Sequence, residues 1–240
     1  MSGAAIHLYL GLLDDVDLPH IRAACFEMLS QAERNRLERF RLERDRRQFL
    51  LAHGMIRAAL SRHVPTVRPA EWSFVSDRYN RPFVAAPQTS EPLYFSLSHT
   101  EGCVACTISP DKRIGVDVEA TDRNCSHLGI AELNFSSTEN DALRALPGIE
   151  QPDRFFDYWT LKEAYLKAYG TGFHRPLDDF SIIFEPGQRI GIGFHAGSED
   201  DPQRWWFTQT SPSPRHRLAI ADGSGRQGGL PIVSQPWPLI

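Results

Sequence analysis

The order of predicted secondary-structure elements occurs twice along the chain. In the first half, an alternating strand at residues 6–15 precedes an Arg-rich helical stretch that runs from Ser30 to about residue 63. Ser30 and Glu33 have the spacing of a capping box, which marks the start of this helical stretch. Three short runs then read as strands, with the sequences WSFVSD, YFSLSHT and CVACTIS.

The second half repeats this order. A strand with the sequence IGVDVEATD begins at Ile114, and a helical region follows at residues 137–169 with breaks near Pro147 and Pro152. Four strands close the series, with the sequences FSIIFE, RIGIGFH, RWWFTQT and HRLAIAD. Ile6 and Ile114 are 108 residues apart (114 − 6), but few residues are identical between the halves. The sequence therefore predicts a repeat of element order.

Strands in runs beside helices are typical of an α+β fold. We predict two similar lobes, each an antiparallel sheet packed with helices on one face. The N-terminal lobe covers residues 1–112 and the C-terminal lobe residues 113–222. A Gly/Pro-rich tail over residues 223–240 is expected to be irregular or partly disordered. A two-lobed chain would enclose one cleft by itself, so we expect a monomer, and a surface dimer remains open.

The composition favours a protein that acts in the cytoplasm. The 240 residues have a net charge of −4, which gives no reason to expect nucleic acid or a membrane as the main partner. The N-terminal residues lack the basic segment of a signal peptide, and no apolar run is long enough to span a bilayer. Cys103 and Cys106 form a C-x-x-C within a predicted strand, where their thiols would point to opposite faces. We expect neither a zinc site nor a disulfide framework.

Two carboxylates share one face of the strand that begins at Ile114. Because side chains alternate, Asp117 and Glu119 lie on the face that also carries Gly115, roughly 7 Å apart. Like charges at that distance repel unless a cation or solvent separates them. An exposed strand face explains the pattern, and so does a hard cation held by carboxylates and phosphate oxygens. Gly115 would leave room for a ligand to approach the backbone.

The segment WTLKEAYLKAYG, residues 159–170, has the pattern of a helix with two stripes. Its apolar stripe consists of Leu161, Ala164, Tyr165 and Ala168. Trp159, Glu163 and Lys167 follow each other at i, i+4 and i+8 on a second stripe. On a lone helix, Glu163 and Lys167 would be a surface pair worth about 0.2–0.5 kcal/mol. Near the paired acids of the strand, the same residues could instead add a third carboxylate and a cation for phosphate.

The two motifs together resemble the signatures of the Sfp-like 4′-phosphopantetheinyl transferases. The family pattern reads roughly [IV]-G-[IV]-D-x-E, followed by W-[ST]-x-K-E-[SA]-x-x-K, and IGVDVE and WTLKEAYLK contain every fixed position. The segments FSLSHT, YNRPF and GTGFHRPLDDF are similar to further family segments. Asn80 stands where the family usually has Gly, and Asn is the next most tolerant residue of left-handed backbone. The tail after about residue 222 has no match.

This resemblance implies transfer of the 4′-phosphopantetheine arm of coenzyme A to a serine of an acyl or peptidyl carrier protein, with release of 3′,5′-ADP. It also implies two similar α+β lobes with coenzyme A and Mg²⁺ in the cleft between them. By analogy, Asp117, Glu119 and Glu163 are the Mg²⁺ ligands. Glu163 is the first choice for the base that takes the serine proton, directly or through a water, and Glu119 is the second. Lys167 is the cation on the pyrophosphate, and Lys162 is a weaker candidate nearby.

The resemblance also assigns residues to the nucleotide. Ser98 and His99 would contact phosphates, and the YNRPF turn would offer backbone contacts to adenine from Asn80 and Pro82 and place Arg81 near the phosphates. In the basic helix, Arg36 best matches the family cation on the 3′-phosphate, with Arg44 in reserve. Most of the other Arg residues there form a solvated face.

Two other functions compete with this one: a different Mg²⁺-dependent phosphotransferase or phosphodiesterase, and a nucleic-acid-binding module built on the Arg helix. Interleaved acids and the net charge of −4 speak against nucleic acid. We expect the carrier to dock on residues 121–135, where Arg123 and His127 lie among apolar residues, although an ordinary connecting loop would have the same composition. Fatty-acid, polyketide and nonribosomal-peptide carriers all remain open.

Overall fold

The computed structural model describes residues 4–123, 125–185, 187, 189–195, 198 and 200–237. The chain forms two compact units. The first comprises Met1–Lys112 and Pro231–Ile240, and the second comprises Arg113–Leu230. No helix in the described part of the chain is long and apolar enough to cross a membrane.

The predicted elements are present in the predicted order, and the structure adds helices at residues 13–16, 19–28 and 127–134 and strands at residues 82–86 and 232–236, which the sequence did not predict. The first unit contains β1 (Ile6–Leu12), α1 (Leu13–Val16), α2 (Pro19–Met28), α3 (Gln31–Leu37), α4 (Glu43–His63), β2 (Ser73–Ser76), β3 (Pro82–Ala86), β4 (Tyr94–Thr100) and β5 (Cys103–Ser109). The second contains β6 (Ile114–Ala120), α5 (His127–Asn134), α6 (Ser137–Arg144), α7 (Gln151–Tyr169), β7 (Phe180–Phe184), β8 (Ile190–Phe194), β9 (Trp206–Ser213) and β10 (His216–Asp222). A last strand, β11 (Ile232–Pro236), belongs to the first unit.

The two units have the same strand order. The second unit has the sheet β6-β10-β9, and the first has β1-β5-β4 with β11 added beside β1. All neighbours are antiparallel except β1 and β11, which are parallel. Each unit also has a separate two-stranded sheet, β2-β3 in the first and β7-β8 in the second. The predicted α+β fold is confirmed, and the predicted repeat of elements is present in both sheets.

The helical stretch predicted from Ser30 to about residue 63 is two helices. The predicted capping box is present, because the Ser30 hydroxyl accepts the Glu33 N–H and the Glu33 carboxylate accepts the Ser30 N–H. The chain turns after α3 because Leu37 is buried and Phe40 packs on Phe49 of α4, with ring centroids 5.2 Å apart. An unbroken helix would separate these apolar side chains.

The predicted break near Pro152 is wrong. Pro152 lies in the first turn of α7, where its missing N–H costs no helical hydrogen bond. The break near Pro147 is confirmed, since α6 ends at Arg144 and α7 begins at Gln151.

The long helix of each unit packs an apolar face into that unit's core. The buried residues of α4 include Leu51, Ala52, Met55, Ile56, Ala59 and Leu60. Those of α7 include Leu161, Ala164, Tyr165 and Ala168, which is the apolar stripe predicted from the sequence. Burying a side chain of Leu size stabilises the fold by about 1.5–3 kcal/mol, so each stripe holds its helix firmly in place.

The tail is ordered where the structure describes it, which differs from the predicted irregular segment 223–240. The buried Asp222 carboxylate accepts the N–H groups of Ser224 and Leu230 at 2.9 and 2.6 Å and so closes the loop between them. β11 then pairs with β1 from Ile6↔Ile232 onward, and Trp237 is buried in the core of the first unit. The four Gly residues of the tail and Pro231 belong to the connection, and the strand after it has the apolar residues to pair and pack.

Candidate active site

Gly115 allows β6 to lie directly against α7. A Cβ atom on Gly115 would overlap the carbonyl oxygen of Ala164 and lie 2.6 Å from the backbone nitrogen of Ala168. The group that approaches the Gly115 backbone is therefore the protein's own helix, which corrects the expectation that a ligand would use this space. Since Asp117 and Glu119 share this strand face, both carboxylates point toward α7.

The strand and helix run in register. Two strand residues advance about 6.6–6.8 Å and four helical residues advance about 6 Å, so pairs of contacts recur along both elements. Ala168 lies at Gly115, the Lys167 ammonium donates to Asp117 Oδ1 at 2.7 Å, and the Trp159 indole N–H donates to Glu119 Oε1 at 3.3 Å. The helix stripe identified in the sequence thus meets the carboxylate face of the strand.

Glu163 occupies the middle of this stripe and is only 9% exposed. Its pKa is raised to about 7, because burial disfavours the charged form and the nearby carboxylates of Asp117 and Glu119 add repulsion, while Lys167 opposes the shift. Glu163 Oε1 is buried and has no hydrogen-bond partner within the described residues. The group formed by Asp117, Glu119, Glu163 and Lys167 therefore has more negative than positive charge, and the Glu163 carboxylate lacks an ion-pair partner within the described residues.

These carboxylates suit a cation that is also held by a substrate. In the described part of the chain, no three His, Cys, Asp or Glu side chains lie close enough to hold a metal ion by themselves. Mg²⁺ typically takes one or two protein carboxylates and completes its shell with waters and phosphate oxygens. The buried Glu163 oxygen beside two further acids fits that pattern.

A separate group of predicted site residues lines a cavity of about 590 Å³ within the first unit. Arg36, Asn80 and Pro82 belong to its lining, together with aromatic residues such as Trp72 and Phe74. Asn80 has a φ of +62°, so this Asn adopts the left-handed backbone that the family's Gly would favour. The volume is that of a small-molecule site.

The turn that carries Asn80 is fixed by one carboxylate. Asp77 Oδ1 accepts the N–H groups of Tyr79 and Arg81 at 2.8 and 3.0 Å. The Arg81 guanidinium donates to the Lys112 carbonyl at 2.6 Å, and burial lowers the pKa of Arg81. Arg81 does not belong to the cavity lining, and its guanidinium instead links the turn to the Lys112 backbone.

Ser98 and His99 lie near the end of β4, where they pair with Ala105 and Val104 of β5. The Ser98 side chain is buried and the His99 side chain is exposed. Neither belongs to the lining of the cavity, so the structure brings together only part of the predicted nucleotide group.

Comparison with known proteins assigns the chain to a family. The profile of the 4′-phosphopantetheinyl transferase superfamily matches residues 113–221, and that of the 4′-phosphopantetheinyl transferase N-terminal region matches residues 20–110. The 4′-phosphopantetheinyl transferase Sfp of Bacillus subtilis is 31% identical over 164 residues, which cover 68% of this chain and 70% of Sfp. The chain belongs to the 4′-phosphopantetheinyl transferase superfamily.

Two further relatives of this superfamily extend the match. The 4′-phosphopantetheinyl transferase HetI of Nostoc sp. is 32% identical over 158 residues, and the match spans 66% of each protein. A phosphopantetheinyl transferase of Thraustochytrium sp. is 32% identical over 216 residues, which cover 85% of this chain and 74% of that protein. The similarity therefore includes both units of the transferase fold.

Lys162 does not lie with the other predicted site residues of the transferase. Its side chain is 0% exposed, and its ammonium donates to Glu139 Oε1 and Oε2 at 2.8 and 2.6 Å and to the Phe180 carbonyl at 2.7 Å. All three ammonium protons have partners, so the assignment of Lys162 as a phosphate ligand is wrong. Lys162 and Lys167 are five residues apart and point to different sides of α7.

A polar cluster that was not predicted from the sequence lies beside the transferase's cavity. The buried Arg57 guanidinium, 1% exposed, donates to Glu33 Oε2 and to the carbonyls of Pro69 and Trp72. His53 Nδ1 lies 2.8 Å from Glu33 Oε1. Arg57 interrupts the apolar run GMIRAAL, and this single charge within a buried helix was the available signal.

The segment predicted to bind the carrier is only partly exposed. Phe135 is buried in the core, and the His127 ring packs against Phe155 and Phe156 with centroids 5.2 and 5.4 Å away. These contacts make His127 and Phe135 structural, which corrects their assignment to the docking surface. Arg123 and Leu133 remain exposed, and Arg123 also lies 3.5 Å from Glu119 Oε2. Residue 124 lies outside the described residues.

Proposed function

We propose that this protein transfers the 4′-phosphopantetheine group of coenzyme A to a serine hydroxyl of apo acyl or peptidyl carrier proteins and releases 3′,5′-ADP. We further propose that the reaction depends on Mg²⁺ and that the protein works in the cytoplasm as a monomer. Membership of the superfamily supports the reaction. The carboxylate and lysine stripe between β6 and α7 supports its chemistry.

The observation that carries this proposal is the crowding of Glu163 by Asp117 and Glu119 beside Lys167. Of Asp117, Glu119 and Glu163, one or two carboxylates would hold Mg²⁺, and the pyrophosphate and waters would complete its shell. When bound, the metal ion would act as a Lewis acid on the pyrophosphate oxygens.

The protein's own residues would position the reactants and move one proton. The Glu163 carboxylate takes the proton of the carrier serine as the serine oxygen bonds to the pantetheine-bearing phosphorus, and Glu119 is the second candidate for this base. The phosphoanhydride bond to the bridging oxygen breaks, and that oxygen leaves on 3′,5′-ADP. The Lys167 ammonium, 30% exposed and already seated on Asp117, neutralises charge that develops on the phosphates.

The cavity of the first unit would hold the nucleotide end of coenzyme A. Its aromatic lining suits adenine, the turn at Asn80 and Pro82 offers backbone contacts, and Arg36 supplies a cation for the 3′-phosphate. Ser98 and His99 would contact phosphates beyond the cavity, and Arg81 would act through the turn that it supports.

The carrier would dock on the exposed part of residues 121–135. Arg123 offers a positive charge, and Leu128 and Leu133 on α5 offer apolar anchors of which Leu133 is 83% exposed. An acidic carrier surface would be steered by the charge and held by the apolar contacts.

Intact mass spectrometry of an apo carrier tests the reaction. Incubation with this protein, coenzyme A and Mg²⁺ should add the mass of one phosphopantetheine group, and a carrier with Ser→Ala at the modified position should remain unchanged. Loss of coenzyme A without a change in carrier mass would instead indicate a phosphodiesterase.

Asp117→Asn tests the site. Because a metal clamp is worth several kcal/mol and each ~1.4 kcal/mol is tenfold in rate, we expect at least about a tenfold loss of kcat/KM. Asp141→Asn, which changes an exposed acid of α6, is the matched control. A folded Asp117→Asn protein with the activity of the control would remove Asp117 from the site.

A further inference from the structure

One buried ring orients two basic side chains at the cavity of the first unit. The Phe49 ring stacks on the His53 imidazole, with centroids 3.9 Å apart and planes inclined by 30°. On the same ring, the Arg36 guanidinium carbon lies 5.1 Å from the centroid. Both basic side chains line the cavity, and both are held against the same Phe49 ring.

Glu33 fixes the orientation of the His53 imidazole. The carboxylate lies 2.8 Å from Nδ1 through Oε1 and binds the buried Arg57 through Oε2. Although burial opposes it, the hydrogen bonds from His53 and Ser30 and the charge of Arg57 lower the pKa of Glu33 to about 2. An ionised carboxylate accepts the Nδ1–H, and Nε2, which makes no hydrogen bond in the described part of the chain, is left for a ligand.

The charges around the cavity favour an anion. Among its lining residues only Glu33, Arg36 and His53 are ionisable, and Arg57 from α4 balances the charge of Glu33. The walls from β2, β3 and β4 contribute apolar and hydroxyl groups, namely Ser73, Phe74, Val75, Ser76, Pro82, Phe95 and Leu97. Arg36 is therefore the unbalanced charge, and protonation of His53 adds a second one beside it.

We propose that His53, oriented by Glu33, binds the 3′-phosphate of coenzyme A together with Arg36 and makes the enzyme select coenzyme A over 3′-dephospho-coenzyme A. This inference rests on the proposed function for the identity of the substrate. The chemistry requires a phosphate monoester dianion, which accepts hydrogen bonds from the protonated imidazole and from the guanidinium at the same time. Glu33 and Arg57 act as positioning residues behind His53.

Calorimetric binding of 3′,5′-ADP and adenosine 5′-monophosphate tests this without catalysis. The two ligands differ only in the 3′-phosphate. His53→Asn keeps an amide N–H near the Nδ1 position for Glu33 and removes Nε2, and His20→Asn changes an exposed histidine of α2 as a control. Because charge-assisted hydrogen bonds are strong, we expect His53→Asn to weaken the binding of 3′,5′-ADP about tenfold or more. The binding of the monophosphate should weaken by less than about twofold.

The pH dependence separates a phosphate contact from a structural role. Because Glu33 accepts the Nδ1–H, Nε2 can donate to a phosphate only from the protonated ring, so the wild-type affinity ratio of 3′,5′-ADP to the monophosphate should fall as pH rises. The 3′-phosphate itself gains charge near pH 6, and His53→Asn measures that baseline alone. Glu33, whose pKa is lowered to about 2, keeps its charge throughout this comparison.

Several results would overturn the inference. A folded His53→Asn protein with the wild-type preference at every pH would do so, as would equal weakening of both ligands or a wild type that binds neither. Failure of the proposed function would give a different result. In that case the protein would still prefer 3′,5′-ADP through His53, but it would not load any carrier.

Discussion

The buried ion pair between Lys162 and Glu139 gives the sharpest stability prediction. Lys162 is 0% and Glu139 1% exposed, so both charges are removed from bulk solvent. Removing one partner of a buried pair typically costs about 3–5 kcal/mol, because the other charge stays buried without compensation. Lys162→Met should therefore lower the free energy of unfolding by about that amount, a large part of a typical total of 5–15 kcal/mol.

The double variant tests the reason for this loss. Burial lowers the pKa of Lys162, and Glu139 opposes this shift by stabilising the charged ammonium. Glu139→Gln keeps an acceptor and a donor near Ser136 and Ile182, which bind the native carboxylate. Combining it with Lys162→Met removes both charges, and we expect the double variant to be at least about 1–2 kcal/mol more stable than the sum of the single effects predicts.

Urea unfolding followed by circular dichroism measures all four proteins, and carrier loading measures their activity. If Lys162 bound phosphate, Lys162→Met would keep its stability and raise KM for coenzyme A. A loss below about 1 kcal/mol with additive double-variant energies would refute the structural role.

Three further predictions follow from the geometry. Gly115→Ala should destabilise the second unit by about 1–3 kcal/mol and lower kcat, because the added methyl group meets the helix backbone. Gly148→Ala is the control, since its methyl group meets no atom within 4 Å, and equal urea midpoints for the two variants would contradict the close approach. The lowered pKa of Glu33 stabilises the fold above the unfolded value of 4.5, and this contribution is lost as pH falls toward the folded value of about 2, at up to about 1.4 kcal/mol per pH unit. Acid unfolding curves should therefore show a smaller decline in stability for Glu33→Gln than for the wild type over this range, and equal declines would contradict the role of Glu33. Arg123→Gln should raise KM for the carrier more at low than at high salt, because salt screens exposed charges, whereas the control Arg189→Gln, at another exposed arginine, should not. Arg123→Gln should also lower kcat somewhat because Arg123 contacts Glu119. A carrier KM that matches the wild type at every salt concentration would place docking elsewhere.

Features that depend on short-range order were predictable from the sequence. The capping box at Ser30, the apolar stripe of α7 and the alternation of Asp117 and Glu119 each follow from spacing within a few residues. The sequence also predicted that Asn80 would tolerate left-handed backbone, and its φ of +62° confirms this. Local periodicity and turn chemistry are sufficient for predictions of this kind.

Features that depend on partners distant in the chain were not predictable. Lys162 and Lys167 are indistinguishable in the motif, yet one ammonium meets Glu139 and the other meets Asp117, 23 and 50 residues away. Gly115 similarly makes room for the backbone of α7, a helix that begins 36 residues later (151 − 115). The strand in the tail forms because β1 has an edge with which it can pair. In each case tertiary packing decides between alternatives that local sequence leaves open.

The repeat extends from element order to the buried charges. In each unit a capping-box helix provides a glutamate, Glu33 of α3 and Glu139 of α6, and the long helix provides a buried cation that binds it, Arg57 or Lys162. Each cation also donates to a backbone carbonyl, of Trp72 or Phe180 respectively.

The two copies differ at the positions that carry chemistry. The 108-residue offset between β1 and β6 sets Tyr9 and Gly11 of the first unit against Asp117 and Glu119 of the second. The residue after the buried cation is Ala58 in the first unit and Glu163 in the second. The same scaffold thus holds its long helix by a buried ion pair in both units, while the acids proposed for metal and proton transfer occur in the second. This separation explains why a change at Lys162 should act on stability and a change one residue later, at Glu163, on catalysis.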